Sequence, residues 1–348
     1  MIEKFTISRD DAIYEAWPDV VLTPSGKLLC VFAECTHHHD RSYTRIMLTE
    51  SKDRGRTWTP KRPLTDGTQG LPYYNCGRIM RLSDGRYVII VDKVYDRGEG
   101  GGRVLLYFSE DEGQTWSEPI ETPARGIVPD KLLELDSGRW ILSCHDREAG
   151  FGYLVQRLWY SDDQGATWSE PVVVGRQEGL NLCEVSILPC NDQVLVAFMR
   201  ENSFQGWDCF KAISRDNGET WGELIKFPLP ACHRPVAGWL QNGQIMITHR
   251  FIQGGRRGFF GGHQNFFAAL TDVESALAPT RDDAQTRILP IDFDRSAESD
   301  TGYSGWVQFD DGEIYIANYV LDDAPKGQIR GYSLRMEDFV FPTVQNLC

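Results

Sequence analysis

One octapeptide pattern, Ser-x-Asp-x-Gly-x-Thr-Trp, occurs four times: SKDRGRTW at 51–58, SEDEGQTW at 109–116, SDDQGATW at 161–168 and SRDNGETW at 214–221. Its aspartates, Asp53, Asp111, Asp163 and Asp216, are 58, 52 and 53 residues apart. A near-constant period of this size marks one supersecondary unit laid down repeatedly. Within each copy, Asp accepts hydrogen bonds from nearby backbone amides and Gly tolerates positive φ, so the pattern predicts a tight turn. The Trp is expected to pin the turn against its own repeat. The four boxes are therefore scaffold, and their separated carboxylates are not a site.

A second repeat lies inside the first. Strand–turn–strand units read VVLTPSGKLLCVFAE (20–34), IMRLSDGRYVIIVD (79–92) and LLELDSGRWILSCHD (132–146). They continue as VSILPCNDQVLVAFMR (185–200), VAGWLQNGQIMITHR (236–250) and WVQFDDGEIYIANY (306–319). Apolar runs bounded by Asp-Gly or Asn-Gly predict β-hairpins. Helical periodicity is almost absent, with at most one turn in SALAPTRDDA (275–284). Four short strands per unit of this length is the pattern of a propeller blade. The chain is thus expected to be all-β, a six-bladed β-propeller occupying residues 1–348 as one domain. KFTIS (4–8) should add the outer strand of the last blade, and LTD (270–272) reads as a worn box in blade five.

Charge and cysteine usage narrow the partners. Thirty-six Lys and Arg against 50 Asp and Glu leave a net charge of −14, which disfavours nucleic acid and anionic membrane surfaces. No apolar run reaches the ~20 residues needed to span a bilayer. The opening MIEKFTISRDD has no leader-like apolar stretch, so a cytoplasmic location is expected. Nine cysteines without paired metal spacing fit reduced thiols.

Boxes and hairpins together resemble the sialidase superfamily over nearly the whole length of the chain. That resemblance implies a carbohydrate partner and a tyrosine–glutamate nucleophile pair, with an aspartate as acid/base and arginines to clamp a substrate carboxylate. No cofactor is implied. In DTGYSGWVQFDDG, Tyr303 matches the family's nucleophilic tyrosine, and in NLCEVSILPCNDQ, Glu184 matches the glutamate beside it. A phenol with a pKa of ~10 needs a carboxylate to take its proton before it can attack. Arg200, at the end of FMR, matches the arginine that follows the glutamate. Planar guanidinium forks suit a carboxylate better than an ammonium does. Arg234 shares the turn-relative register of Tyr303, and Arg250 that of Arg200, so either can supply a blade-five arginine.

Blade one departs from the family. It reads EAWPDVVLTPSG where an Arg-Ile-Pro segment is expected: Pro18 keeps the register, Trp17 replaces the isoleucine and Ala16 the arginine. The missing clamp leg points to a sugar other than sialic acid, with Arg78 in blade two able to reach inward instead. Trp17 and His145 join the arginines as substrate-contacting candidates. Asp40, in ECTHHHDRSYT (34–44), is the aspartate in the loop where the family places its acid/base. Its neighbours His37, His38 and His39 do not suggest a metal, because consecutive residues of an extended chain point to different sides. Strand ends carrying Glu34, Asp92, His145, Asp146, Arg200, Arg250 and Tyr319 are expected to converge on one mouth of the central channel. The sequence thus favours an exo-acting glycoside hydrolase on a terminal acidic sugar. A noncatalytic sugar-binding propeller, and a polysaccharide lyase using Tyr303 or His145 on a uronate, are the alternatives.

Overall fold

The computed structural model of the chain describes residues 2–339 apart from 97, 99, 192 and 254–261. Its antiparallel sheets are six blades of a β-propeller. Blade one holds β2 (Tyr14–Leu22), β3 (Leu28–His37), β4 (Asp40–Ser51) and β5 (Arg62–Pro63), with β6 (Thr68–Gln69) also on β4. Blade two is β7 (Tyr73–Arg81), β8 (Tyr87–Val94), β9 (Gly102–Ser109) and β10 (Ile120–Arg125). In blade three, β11 (Leu133–Glu134) is followed by β12 (Trp140–Arg147), β13 (Leu154–Ser161) and β14 (Val172–Gly175). Blade four comprises β15 (Leu182–Pro189), β16 (Leu195–Glu201), β17 (Asp208–Ser214) and β18 (Ile225–Pro230). Blade five comprises β19 (Cys232–Trp239), β20 (Ile245–Gln253), β21 (His263–Thr271) and β22 (Arg287–Phe293).

Blade six is built from distant parts of the chain. β23 (Thr301–Gln308), β24 (Ile314–Val320) and β25 (Gln328–Leu334) are completed by β1 (Glu3–Ser8), antiparallel to β25. The expected closure by KFTIS is what the chain does. The worn box in blade five has a different use: the Asp272 carboxylate accepts the Ser275 N–H at 2.7 Å and caps the short helix α1 (Val273–Leu277).

The four boxes share one geometry. In the first, Asp53 accepts from Ser51 Oγ (2.8 Å), Thr57 N (2.9 Å) and Thr57 Oγ1 (2.6 Å), while Gly55 N–H donates to Ser51 Oγ (2.8 Å). Positive φ at Arg54 (62°) and Gly55 (83°) makes the turn. The tryptophans are half-buried, and the boxes lean on the preceding blade as well as on their own, where Gly165 of the third box lies against Trp140 and Gly218 of the fourth against Leu195. Trp58 packs 6.1 Å from Tyr315 of blade six, Gly113 lies over Leu29 of blade one, and Gly218 faces Ile141 and Leu158 of blade three. Apolar side chains on both faces of each sheet drive this arrangement, since a blade can bury them only against its neighbours. One buried cluster joins blades four and five through Phe198, Phe227 and Ile247, and another joins blades five and six through Phe266, Ile316 and Tyr332.

The inner strands are bulged. β2, β7, β15, β19 and β23 all shift register against their neighbours near the same depth. Trp17 (φ 55°), Glu184 (44°), Arg234 (51°) and Gly302 (108°) adopt left-handed backbone there. A bulge re-aims the side chains on its strand. At Gly302 a Cβ would fall 2.4 Å from Arg250 Cβ, so only glycine lets β23 pass this close to β20.

Candidate functional site

A cavity of about 430 Å³ opens at one mouth of the channel, walled by Tyr14, His38, Arg200, Arg250, Asp300 and Tyr303 among others. The Tyr303 hydroxyl donates to Glu184 Oε1, joining blade six to blade four. Arg200 Nη1 donates to both Glu184 oxygens, at 2.7 and 2.8 Å, and lies 3.5 Å from the Tyr303 hydroxyl. Beneath them His145 Nδ1 accepts the Glu184 N–H at 3.3 Å. All four side chains are buried.

Their electrostatics follow from that burial. Burial alone would raise the Glu184 carboxyl, but the charge and hydrogen bonds of Arg200 pull it down to about 2. Tyr303 is pushed well above the ordinary phenol value by burial and by the Glu184 charge. His145 is lowered to about 4 because burial disfavours its cation.

A second cluster faces the first. Asp300 accepts from Tyr14 Oη (2.5 Å), Tyr319 Oη (2.7 Å) and His38 Nδ1, with Arg250 Nη2 at 3.4 Å. Arg250 is held by Tyr319 Oη (2.6 Å) and the Thr301 carbonyl. The loop before β23 is fixed by Asp294, whose carboxylate accepts the backbone N–H groups of Asp300 (2.9 Å), Leu321 (3.1 Å) and Asp322 (3.0 Å). Although burial opposes it, the hydrogen bond and charge of His38 and the charge of Arg250 hold Asp300 well below the usual carboxylate range.

The remaining predicted residues lie elsewhere. Arg234 is fully buried below the cavity, donating to the carbonyls of Val185 (3.3 Å) and Pro129 (3.1 Å), so it ties blades three, four and five together. Arg78 donates to the Ser304 carbonyl (2.8 Å) and lies 3.5 Å from Asp19, deep in the channel. Trp17 is buried beneath Arg41, whose guanidinium carbon is 4.0 Å from its ring centre, and stands edge-on to His38 at 5.4 Å. Asp40 is exposed at the β3–β4 hairpin tip, accepts the Ser42 N–H at 2.8 Å and does not reach the cavity wall. Of the polar strand ends, Arg200 and Arg250 reach the cavity wall. Asp92 instead holds the backbone amides of Cys76 (2.9 Å) and Val128 (3.0 Å), and Glu34 pairs with Lys61 (3.1 Å).

Sequence reasoning missed Asp300, His38 and Tyr14. Asp300 stands three residues before Tyr303 in the very segment that marks the tyrosine, which was the available signal. Among the described residues, no group of three or more His, Cys, Asp or Glu is arranged to hold a metal, and eight cysteines are unpaired. No helix among them is long and apolar enough to cross a membrane.

Comparisons with known proteins bear on this arrangement. The BNR repeat-like domain family matches at residues 3–118 and 87–316. A sialidase from Paraclostridium sordellii is 23% identical over 222 residues, 53% of this chain and 54% of that protein. The chain therefore spans about half the length of that curated relative. Among solved structures, a protein of unknown function from Dyadobacter fermentans superposes with a TM-score of 0.77 at 19% identity, covering 96% of this chain and 99% of that one. A Hadza microbial sialidase superposes with a TM-score of 0.71 at 18% identity, covering 97% of this chain and 69% of that one. These likenesses show a shared fold.

Proposed function

Because the chain belongs to the BNR repeat-like domain family, we propose that it is a glycoside hydrolase of sialidase type acting on a terminal acidic sugar. Tyr303 is the nucleophile of this reading and Glu184 its base. The observation that carries it is the Tyr303–Glu184–Arg200 hydrogen-bonded group, whose Tyr303 and Arg200 line the cavity. The sialidase from Paraclostridium sordellii among its relatives supports the same reaction class.

Arg200 and Arg250 place two guanidinium groups on one wall, and Arg200 Nε has no partner among the described residues. A substrate carboxylate suits that pair. It also solves a chemical difficulty. With its carboxyl near 2, Glu184 is too weak a base for a buried phenol while Arg200 holds it. A carboxylate that draws Arg200 away removes the counter-charge, and the basicity of Glu184 rises as substrate arrives. The unpaired, mostly buried thiols fit a reducing, cytoplasmic setting for this activity.

A carbohydrate-binding propeller without turnover is the second reading, favoured by the exposure of Asp40 away from the cavity. The lyase reading draws no support from His145, which lies buried behind Glu184. The test is a glycan screen followed by single-turnover kinetics. Tyr303→Phe removes one oxygen and keeps the ring, so turnover should collapse while substrate affinity stays within a few-fold. Wild-type rates in Tyr303→Phe would refute the nucleophile assignment, whereas a glycan that binds the wild-type protein and is never turned over would leave the binding reading.

A further inference from the structure

We propose that His38, oriented by Asp300, is the proton carrier of this site. The proposal rests on the hydrolase reading above and assigns the acid to a cavity-lining residue, since Asp40 is exposed and does not line the cavity. His38 lines the cavity together with Tyr303, and its Nδ1 is engaged by Asp300. A carboxylate on Nδ1 fixes that nitrogen as the N–H and leaves Nε2 as the exchanging position. Nε2 makes no hydrogen bond among the described residues. The ring meets Trp17 edge-on at 5.4 Å and His39 at a tilt of 40° and 4.8 Å. Asp300 is itself held by Tyr14 and Tyr319, so the orienting group cannot swing away. A base oriented by a buried carboxylate is the general form of an acid/base pair.

The steps balance. Tyr303 Oη attacks the anomeric carbon and gives its proton to Glu184, while the glycosidic C–O bond breaks and the leaving oxygen takes the proton from His38 Nε2. Water then attacks the glycosyl–tyrosine bond and gives one proton to His38. The released phenolate recovers its own proton from Glu184. Charged groups around His38 act in both directions: Asp300 favours its cation, whereas burial, Arg250 and Arg41 disfavour it, and His37 and His39 stand beside it. Burial prevails, which lowers its pKa below the ordinary imidazole value. The protonated form is the acid, so kcat/KM should fall as pH rises, with a midpoint below ~6.5.

The measurement uses matched 4-nitrophenyl and methyl glycosides of glucuronic acid and N-acetylneuraminic acid. A nitrophenolate leaves without help, and a methoxide does not. His38→Gln is therefore expected to lose on the order of 10²–10³-fold on the methyl glycoside and under about tenfold on the nitrophenyl one. The pH limb should vanish from the variant. Asp300→Asn should lose the same leaving-group-dependent step in smaller measure, since it disturbs orientation. Equal losses on both glycosides in His38→Gln, or none, would overturn the proposal while Tyr303→Phe still abolishes both reactions. A wild-type protein that opens none of the four glycosides removes the hydrolase reading and this one together.

Discussion

His145 must stay neutral for its Nδ1 to accept the Glu184 N–H, and burial lowers its pKa to about 4. Its folded pKa lies below the unfolded ~6.5, so the unfolded state binds more protons between these values and stability rises with pH there. The contribution is complete above ~6.5 and lost as pH falls through about 4. Glu184 adds a lower step of the same sign, present above ~4.3 and lost as pH falls towards about 2. Melting curves should therefore show Tm declining from pH 6.5 to 4, and His145→Gln should flatten that upper limb. A variant with an unchanged pH slope would mean that other histidines carry it. At the same centre, Tyr303→Phe and Glu184→Gln should be strongly non-additive, because removing either disables one proton transfer. Single-turnover rates that multiply in the double variant would show the two residues acting separately. Ala16, in blade one, carries a substrate prediction: α-sialosides should turn over weakly, since Arg78 is buried on the Ser304 carbonyl and Arg41, over Trp17, is engaged by Cys35, His37 and Asn75. Efficient release of 4-methylumbelliferone from its sialoside would contradict this.

The box hairpins act between blades as much as within them. Trp168 lies against the cluster shared by blades two and three, which includes Leu106, Trp140 and Leu142. Its truncation to alanine should cost about 2 kcal/mol, less than a fully buried aromatic because the ring is half-exposed. Denaturant unfolding measures this, and unchanged sugar contacts in the same variant would separate scaffold from site. The boxes, hairpin turns and closing strand were legible because each is written in contiguous residues: a turn needs its Asp and Gly within five positions. The partners of those turns were not. Nothing local says that Trp58 meets Tyr315, 257 positions away. The bulges that turn Glu184 and Arg234 were equally hidden, since a strand pattern fixes which face a residue takes only while the register holds. Tyr303, Glu184 and Arg200, singled out by their local motifs, meet in the structure, while Arg234 shares the register of Tyr303 yet turns into the seam. Asp300 joins His38 across 262 positions, a pairing that only ring closure creates.

Closure of the ring rests on β1. It pairs with β25 from Glu3↔Ser333 to Ser8↔Ile329, and Lys4 reaches Asp292 of blade five at 2.5 Å. On the other side of blade six, Arg54 and Arg56 of the first box meet Asp311 (2.6 Å) and Glu313 (2.8 Å). The Arg54–Asp311 pair is exposed and contributes little, and the backbone ladder of β1 on β25 is the continuous fastening of the ring. Deleting residues 2–8 should leave β25 as an open edge, lower Tm by at least ~10 °C and promote association, followed by calorimetry and light scattering. A truncated chain that melts with the intact one would show that the seams alone suffice. The same closure imposes an order in time. A ribosome adds roughly 5–20 residues per second, so β1 emerges roughly 15–65 s before its partner strand exists. Through that interval the chain carries an orphan strand, and the cavity lacks Asp300, Tyr303 and Tyr319. The cavity is thus completed only when blade six is made, and nascent chains arrested before residue 301 should be cleaved readily within 3–8 by added protease, whereas chains released after 334 should be protected there.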